Sequence, residues 1–441
     1  MDELPPAQER INEIRRRRRE HIFPGVTTYY DQSLVVDRAE GMYVYGMDGR
    51  QYLDFFAGIL TVQVGHCDPE ITQAVVDQLH KVWHTSTVFD TEPMGLVAEK
   101  LAQLAPGDLT HTFFCNSGTE ANETAVMLAQ LFTRNPEILA FRHSYHGRSA
   151  VALSLTGQAA WRKGANLPGV RHIPSPYCYR CPYGQEPESC NLQCVKEIEE
   201  IIQTTTSGEI AGFIAEPILG LGGLITPPDD YFKEAVPIIR RYGGLFIADE
   251  VQTGFGRTGT YMFGIQHWGV EPDIMTFAKG IANGLPVGAT LARADVAAAL
   301  KPPTISTFGG NPVSMAGAWA TIQVLENRGL VDNARVQGER LRQGLLALQE
   351  EFPVMGDVRG KGLMLGVELV KDPETKEPAP DLAVAVMQAA KDEGLLIGRG
   401  GLYNNVLRIT PPLSVSAGQI DDALAMLKKA MTAALAAVGG D

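Results

Sequence analysis

The chain reads as an α/β protein, with a large domain whose mainly parallel sheet is covered by helices and a smaller α+β domain beside it. Three observations predict this. From about residue 68 to 300, short apolar runs alternate with longer helical patterns, the order left by parallel strands joined through crossover helices. A hairpin pattern precedes that region, and a long helical stretch follows it and leads into further strands. The 441 residues, 45% apolar and 20% charged, are enough for two domains and a sizeable core.

The elements follow in order. Tyr43-Val44-Tyr45 and Gln51-Tyr52-Leu53-Asp54-Phe55 flank an Asp48-Gly49 turn, which predicts a hairpin in an N-terminal segment, residues 1–67, that contributes to the small domain. The large domain is expected over 68–311, with strands at 112–115, 138–141, 210–215, 245–248, 274–278 and 287–292. A helical stretch over 312–328 opens the C-terminal small domain, 312–441, whose strands fall within 362–370 and 406–410. There is no internal repeat and no long low-complexity linker. The Pro- and Cys-rich piece from 174 to 194 reads as an irregular insertion on the large domain.

Charge and composition exclude several functions. A net charge of -13 argues against general nucleic-acid affinity, which depends on Lys and Arg neutralising phosphates. The run Arg15 to Arg19 is a local exception, read as a solvated helix face rather than a basic contact. No apolar stretch approaches the roughly 20 residues that span a bilayer. The opening Met1-Asp2-Glu3-Leu4-Pro5-Pro6 lacks a secretory pattern, and its acids argue against a mitochondrial presequence, so a cytoplasmic location is expected. Six cysteines are too few for a disulfide scaffold.

Open parallel sheets bind ligands beyond the carboxyl ends of their strands, so chemistry is sought there. After the run ending at Cys115 comes Asn116-Ser117-Gly118-Thr119-Glu120-Ala121-Asn122-Glu123. Ser117 and Glu120 have capping-box spacing, and Gly118 permits close backbone approach, which together make an anion cradle at a helix N-terminus. After Leu245-Phe246-Ile247-Ala248 come the acids Asp249 and Glu250, then Val251-Gln252-Thr253-Gly254. An isolated acid at a strand end reads more simply as a cap or ion-pair partner. Thirty residues on, Ile274-Met275-Thr276-Phe277-Ala278 ends in Lys279-Gly280. A buried lysine has a depressed pKa and more nucleophilic free amine, as Schiff-base chemistry requires, although a snorkelling structural lysine is the plain alternative.

A phosphate cradle, a strand-end Asp and a strand-end Lys in this order resemble the class III aminotransferases of the pyridoxal-phosphate-dependent transferase fold type I. The likeness covers nearly the whole chain. It is carried by 117–123, Tyr145-His146-Gly147, Glu216-Pro217-Ile218, Asp249-Glu250-Val251-Gln252-Thr253-Gly254-Phe255-Gly256-Arg257, Lys279-Gly280 and Thr307-Phe308-Gly309-Gly310-Asn311-Pro312. Within the family it looks most like the alanine–glyoxylate type 2 and related pyruvate-dependent or ω-transaminases.

The resemblance implies pyridoxal 5'-phosphate (PLP) cycling with pyridoxamine phosphate, and a ping-pong transfer from an amino acid or amine to a 2-oxo acid such as pyruvate or glyoxylate. Another class III reaction, racemisation, decarboxylation or amino migration, is the alternative on the same scaffold. By resemblance Lys279 carries the cofactor as a Schiff base and shuttles a proton, while Asp249 faces the pyridine nitrogen. Ser117, Gly118 and Thr119 cradle the phosphate, Thr307 reaches the phosphate of a neighbouring subunit, Tyr145 and Val251 flank the ring, and Gln252 meets its hydroxyl. Glu216 either supports the cradle from behind or is simply a strand-end residue before Pro217. Arg408 receives the substrate carboxylate, and Leu60, Trp83, Phe89 and Leu221 wall the substrate pocket. A homodimer with shared active sites follows, or a tetramer built from it.

No metal is expected in the active site. Cys178, Cys181, Cys190 and Cys194 leave zinc, a disulfide or reduced structural thiols open. The short segment between the pairs favours thiols.

Overall fold

The computed structural model describes residues 6–438 apart from residue 165, so residues 1–5 of the opening segment lie outside it. The N-terminal helix Ala7–His21 carries the arginine run, and Arg16 and Arg17 pair with Glu13 on the same helix. Three strands follow: β1 (Val36–Glu40), β2 (Tyr43–Gly46) and β3 (Gln51–Asp54). The expected hairpin is β2 with β3. The sequence reading missed β1, whose side chains are nearly all exposed and show no apolar alternation.

Seven strands build the large sheet: β4 (Leu109–Cys115), β5 (Ile138–Phe141), β6 (Val170–Ile173), β7 (Gly212–Ala215), β8 (Leu245–Asp249), β9 (Ile274–Phe277) and β10 (Gly288–Arg293). Their order is β4-β10-β9-β8-β7-β5-β6. Only β10 runs against its neighbours. The central strands β5, β7, β8 and β9 are buried at every position, which is why they appear in the sequence as continuous apolar runs.

The helix Pro312–Asn327 starts on the Asn311 side chain, which accepts from the N–H groups of Val313 and Ser314, with Pro312 pre-set for the first turn. It leads through the helix Leu330–Glu351 to the last strands: β11 (Met355–Lys361), β12 (Met364–Leu369), β13 (Leu395–Leu396), β14 (Gly398–Gly400) and β15 (Val406–Ile409). Four of these form an antiparallel sheet in the order β11-β12-β15-β14. β13 instead runs parallel to β3, so the N-terminal hairpin and the C-terminal region share one sheet. Among the described residues no helix is long and apolar enough to cross a membrane.

Candidate active site

The carboxyl ends of β4, β8 and β9 converge on one cavity. Gly118, Thr119, Tyr145, Glu216, Asp249, Val251, Gln252 and Lys279 all line it. So do Asn122, His146, Gly147 and Ala278, to which the sequence reading gave no role.

The floor at β4 is the N-terminus of the helix Gly118–Thr133. Ser117 caps it, its Oγ accepting from Glu120 N at 3.3 Å, while the Glu120 carboxylate reaches back to Asn116 N at 3.2 Å. Ser117 therefore shapes the turn and does not line the cavity. The N–H groups of Gly118 and Thr119 open the helix, where no intrahelical acceptor exists for them. A Cβ on Gly118 would stand 3.0 Å from Val251 Cγ2, and one on Gly147, whose φ is +131°, would collide with Thr119 Oγ1. Backbone thus comes as close to the cavity as it can, as an anion cradle needs.

Asp249 ends β8, almost fully buried. Its Oδ2 accepts from Asn122 Nδ2 at 2.8 Å and pairs with His146 Nδ1 at 2.7 Å, and its Oδ1 accepts from Val251 N at 3.1 Å. A carboxylate only accepts, so Nδ1 carries the proton. Asn122 is fixed in turn by Thr276 Oγ1, which donates to its Oδ1 at 2.6 Å. Asp249 is thereby held in a single orientation facing the cavity, between the ends of β8 and β9.

Lys279 follows β9 with a φ of +49°, a backbone conformation that costs a non-glycine residue about 1–3 kcal/mol and gathers at functional sites. Burial, then the positive charge of Arg408, push its amine down to about 8, against the favourable fields of Glu216 and Asp249. Glu216, also fully enclosed, is pushed up to about 7, chiefly by burial. Its two oxygens accept from Tyr145 N and Gly220 N, both at 2.9 Å, so one carboxyl ties the Tyr145 turn to the loop that carries Leu221.

Arg408, on β15, is buried beneath this loop. Nη2 donates to Gln252 Oε1 at 2.6 Å, and among the described residues Nε has no partner. Arg408 does not line the cavity itself but reaches it through Gln252. Leu60 is buried and Leu221 half-buried, neither on the cavity wall. Thr307, Trp83 and Phe89 lie on the exposed surface of the chain; Thr87 Oγ1 joins their two segments by donating to Ser306 O at 3.1 Å. The signal for Asn122 and His146 was present in the segments that carry the resemblance, but side-chain bonding across three strands is invisible to spacing.

A reactive amine of lowered basicity, a fixed carboxylate and an anion cradle around one cavity suit an aromatic phosphate that bears an aldehyde. The site and fold together define a PLP-dependent enzyme of fold type I. The aminotransferase class-III profile matches residues 27–431, and the chain belongs to that family. Alanine–glyoxylate aminotransferase 2 homolog 2 of Arabidopsis thaliana is 41% identical over 92% of this chain and 84% of its own length. The leucine/methionine racemase of Thermococcus litoralis is 38% identical over 93% of each. The (S)-enantioselective ω-transaminase from Thermomicrobium roseum superposes with a TM-score of 0.90 at 36% identity, covering 98% of this chain and all of the other.

The four cysteines of the insertion are free thiols around one small cavity. Burial pushes Cys178 up to about 11 and Cys194 up to about 12. Among the described residues, no group of three or more His, Cys, Asp or Glu is arranged to hold a metal ion.

Proposed function

We propose that the enzyme transfers an amino group from an amino acid or amine to a small 2-oxo acid of the pyruvate or glyoxylate kind, in two half-reactions. The observation that carries this reading is Arg408. It is a fully buried guanidinium whose only side-chain acceptor among the described residues is a neutral amide, with a leucine at position 221 and an Nε for which those residues offer no partner. A buried cation without an anion is costly, and its planar fork suits a carboxylate brought by the substrate. Burial already lowers its proton affinity, which a bound carboxylate would restore.

When bound, PLP supplies an aldehyde that condenses with amines and a ring that accepts electrons from the bond being broken. Lys279 supplies the base. Burial pushes its amine down to about 8, so more of it is free base at neutral pH than for an exposed lysine, as moving a proton at the substrate α-carbon requires. Asp249, held by Asn122 and His146, would face the ring nitrogen, where its carboxylate favours the protonated ring. Tyr145 and Val251 would flank the ring, Gly118 and Thr119 would receive the phosphate, and the amide N–H of Gln252, whose oxygen is taken by Arg408, would be left for the ring hydroxyl.

A homodimer is part of this proposal. Trp83, Val88, Phe89, Ile305 and Phe308 expose large apolar surfaces on two joined segments, with Thr307 between them, and a second copy covering this face would bring Thr307 towards its site.

The deciding measurement is a single turnover of the cofactor-loaded enzyme with L-alanine alone. One equivalent of pyruvate per site, with conversion to the pyridoxamine absorbance, is expected. A racemase is the second reading, favoured by the likeness to the Thermococcus enzyme. Appearance of D-alanine without stoichiometric pyruvate would establish it instead.

A further inference from the structure

The Cys-rich insertion takes no part in the chemistry above, yet it is tied to the substrate loop by a buried charge network. Tyr177 donates its hydroxyl to Glu368 Oε2, and Arg180 Nε donates to Oε1 at 2.5 Å. Glu368 is fully buried on β12. Burial disfavours its charge, but Arg359, Tyr177 and Arg180 outweigh that and hold the carboxyl below its usual range. Arg359 Nη1 lies 2.8 Å from Glu368 Oε2 and 2.6 Å from Asp357 Oδ2, and Nη2 donates to Tyr177 Oη at 3.2 Å. Two cations and two anions balance in charge, and among the described residues Arg180 Nη2 is left without a hydrogen-bond partner. The remaining donor of Arg359, Nε, goes to the carbonyl of Gly223 at 2.8 Å.

The sheet places this contact next to Arg408. Arg359 on β11 is opposite Gly366 on β12, which is opposite Arg408 on β15. Opposed residues share a face and strands lie about 4.8 Å apart, so the two arginines stand on one face with a glycine between them. The loop fills that gap. A Cβ on Gly366 would meet Leu224 Cβ at 3.1 Å, and one on Gly400 would stand 3.1 Å from both Arg408 Cδ and Leu221 O. Leu221 O also accepts from Gly401 N at 2.9 Å. Residues 220–224 are thus held by Arg359 on one side, while on the other Leu221 O and the Arg408 stem both lie close to Gly400.

We propose that Arg359, clamped by Glu368 and the Tyr177–Arg180 turn of the insertion, is a positioning residue that sets how residues 220–224 close over Arg408 and so selects acceptors bearing a carboxylate. The inference rests on Arg408 being the carboxylate receptor. The test compares holoenzyme variants by the KM and kcat for pyruvate, the inhibition constant of propionate, and the retention of PLP. Arg359→Met is expected to raise the pyruvate KM and the propionate constant together by roughly tenfold, the worth of one charge-assisted hydrogen bond, with kcat and PLP retention within about twofold. Tyr177→Phe, which leaves every charge in place, should shift both constants the same way by about two- to fivefold, and it carries the test if Arg359→Met does not fold. Unchanged constants in the folded variants, or a fall in kcat and PLP retention alongside KM, would overturn the proposal. Arg408→Ala is the control: if it leaves both constants unmoved, the carboxylate reading itself fails. If they move in Arg408→Ala but not with Arg359, only this inference does.

Discussion

Replacing Arg408 by methionine should separate function from stability. The guanidinium is fully buried and has one side-chain acceptor, Gln252 Oε1 at 2.6 Å. A carboxylate bound to its fork gains two charge-assisted hydrogen bonds of about 1.5–3 kcal/mol each, which methionine cannot supply. A loss of about 3–6 kcal/mol lowers kcat/KM for pyruvate by roughly 10²- to 10⁴-fold. Folding should respond oppositely. Methionine fills a similar space without a buried charge that lacks a carboxylate, so the stability of the substrate-free protein should hold or rise by about 1–4 kcal/mol, less about 1 kcal/mol for the stranded Gln252 oxygen. The half-reaction can be followed by absorbance, and the stability by urea titration of the same preparation. A large fall in stability, with pyruvate and a carboxylate-free amine impaired alike, would show that Arg408 is a structural cation and refute the reasoning.

Three further outcomes are expected. Gly147→Ala places a methyl against Thr119 Oγ1 at a φ of +131° and should weaken PLP retention at least tenfold, measured by cofactor loss on gel filtration, with far-UV circular dichroism unchanged. In cofactor-free protein, Lys279 titrates at about 8 when folded against 10.5 when unfolded, so between those values the unfolded chain binds more protons and stability rises with pH. Urea titrations of Lys279→Met from pH 7.5 to 10.5 should lose that rise, and an unaltered slope would mean the amine is not depressed. Asp249→Asn should fold normally yet slow the loss of the substrate α-proton by several orders of magnitude in stopped-flow single turnovers, since an amide no longer favours a protonated ring; near-normal rates would make Asp249 structural.

Much of the seven-stranded sheet could be read from sequence because its central strands are buried on both sides and leave uninterrupted apolar runs. β5 was delimited residue for residue, and β8 and β9 within one. The same uniformity hid the reversal of β10, since a strand buried throughout looks alike in either direction. β6 escaped because Val170-Arg171-His172-Ile173 at the sheet edge has too few apolar residues. Lys279 and Asp249 stood out by their position after such runs. The bonds from Asn122 and His146 to Asp249 did not, nor did the pairing of Arg359 with Glu368, because they join segments separated by more than a hundred residues or lie on a strand with no clear alternation.

The order of strands in the large sheet also bears on how the chain is made. β4, whose end begins the phosphate cradle, has β10 as its neighbour, and Cys115 pairs with Gly288, about 170 residues later. At the ~5–20 residues per second of ribosomal synthesis, β4 waits roughly 10–35 s for a partner. Through that interval an edge of Phe113, Phe114 and Cys115 stands unpaired in the nascent chain, the kind of segment that recruits chaperones or a neighbouring polypeptide. Arg408 emerges later still. The enzyme's yield in a cell should therefore depend on translation speed between these two strands, and slowing it there should favour aggregation over maturation.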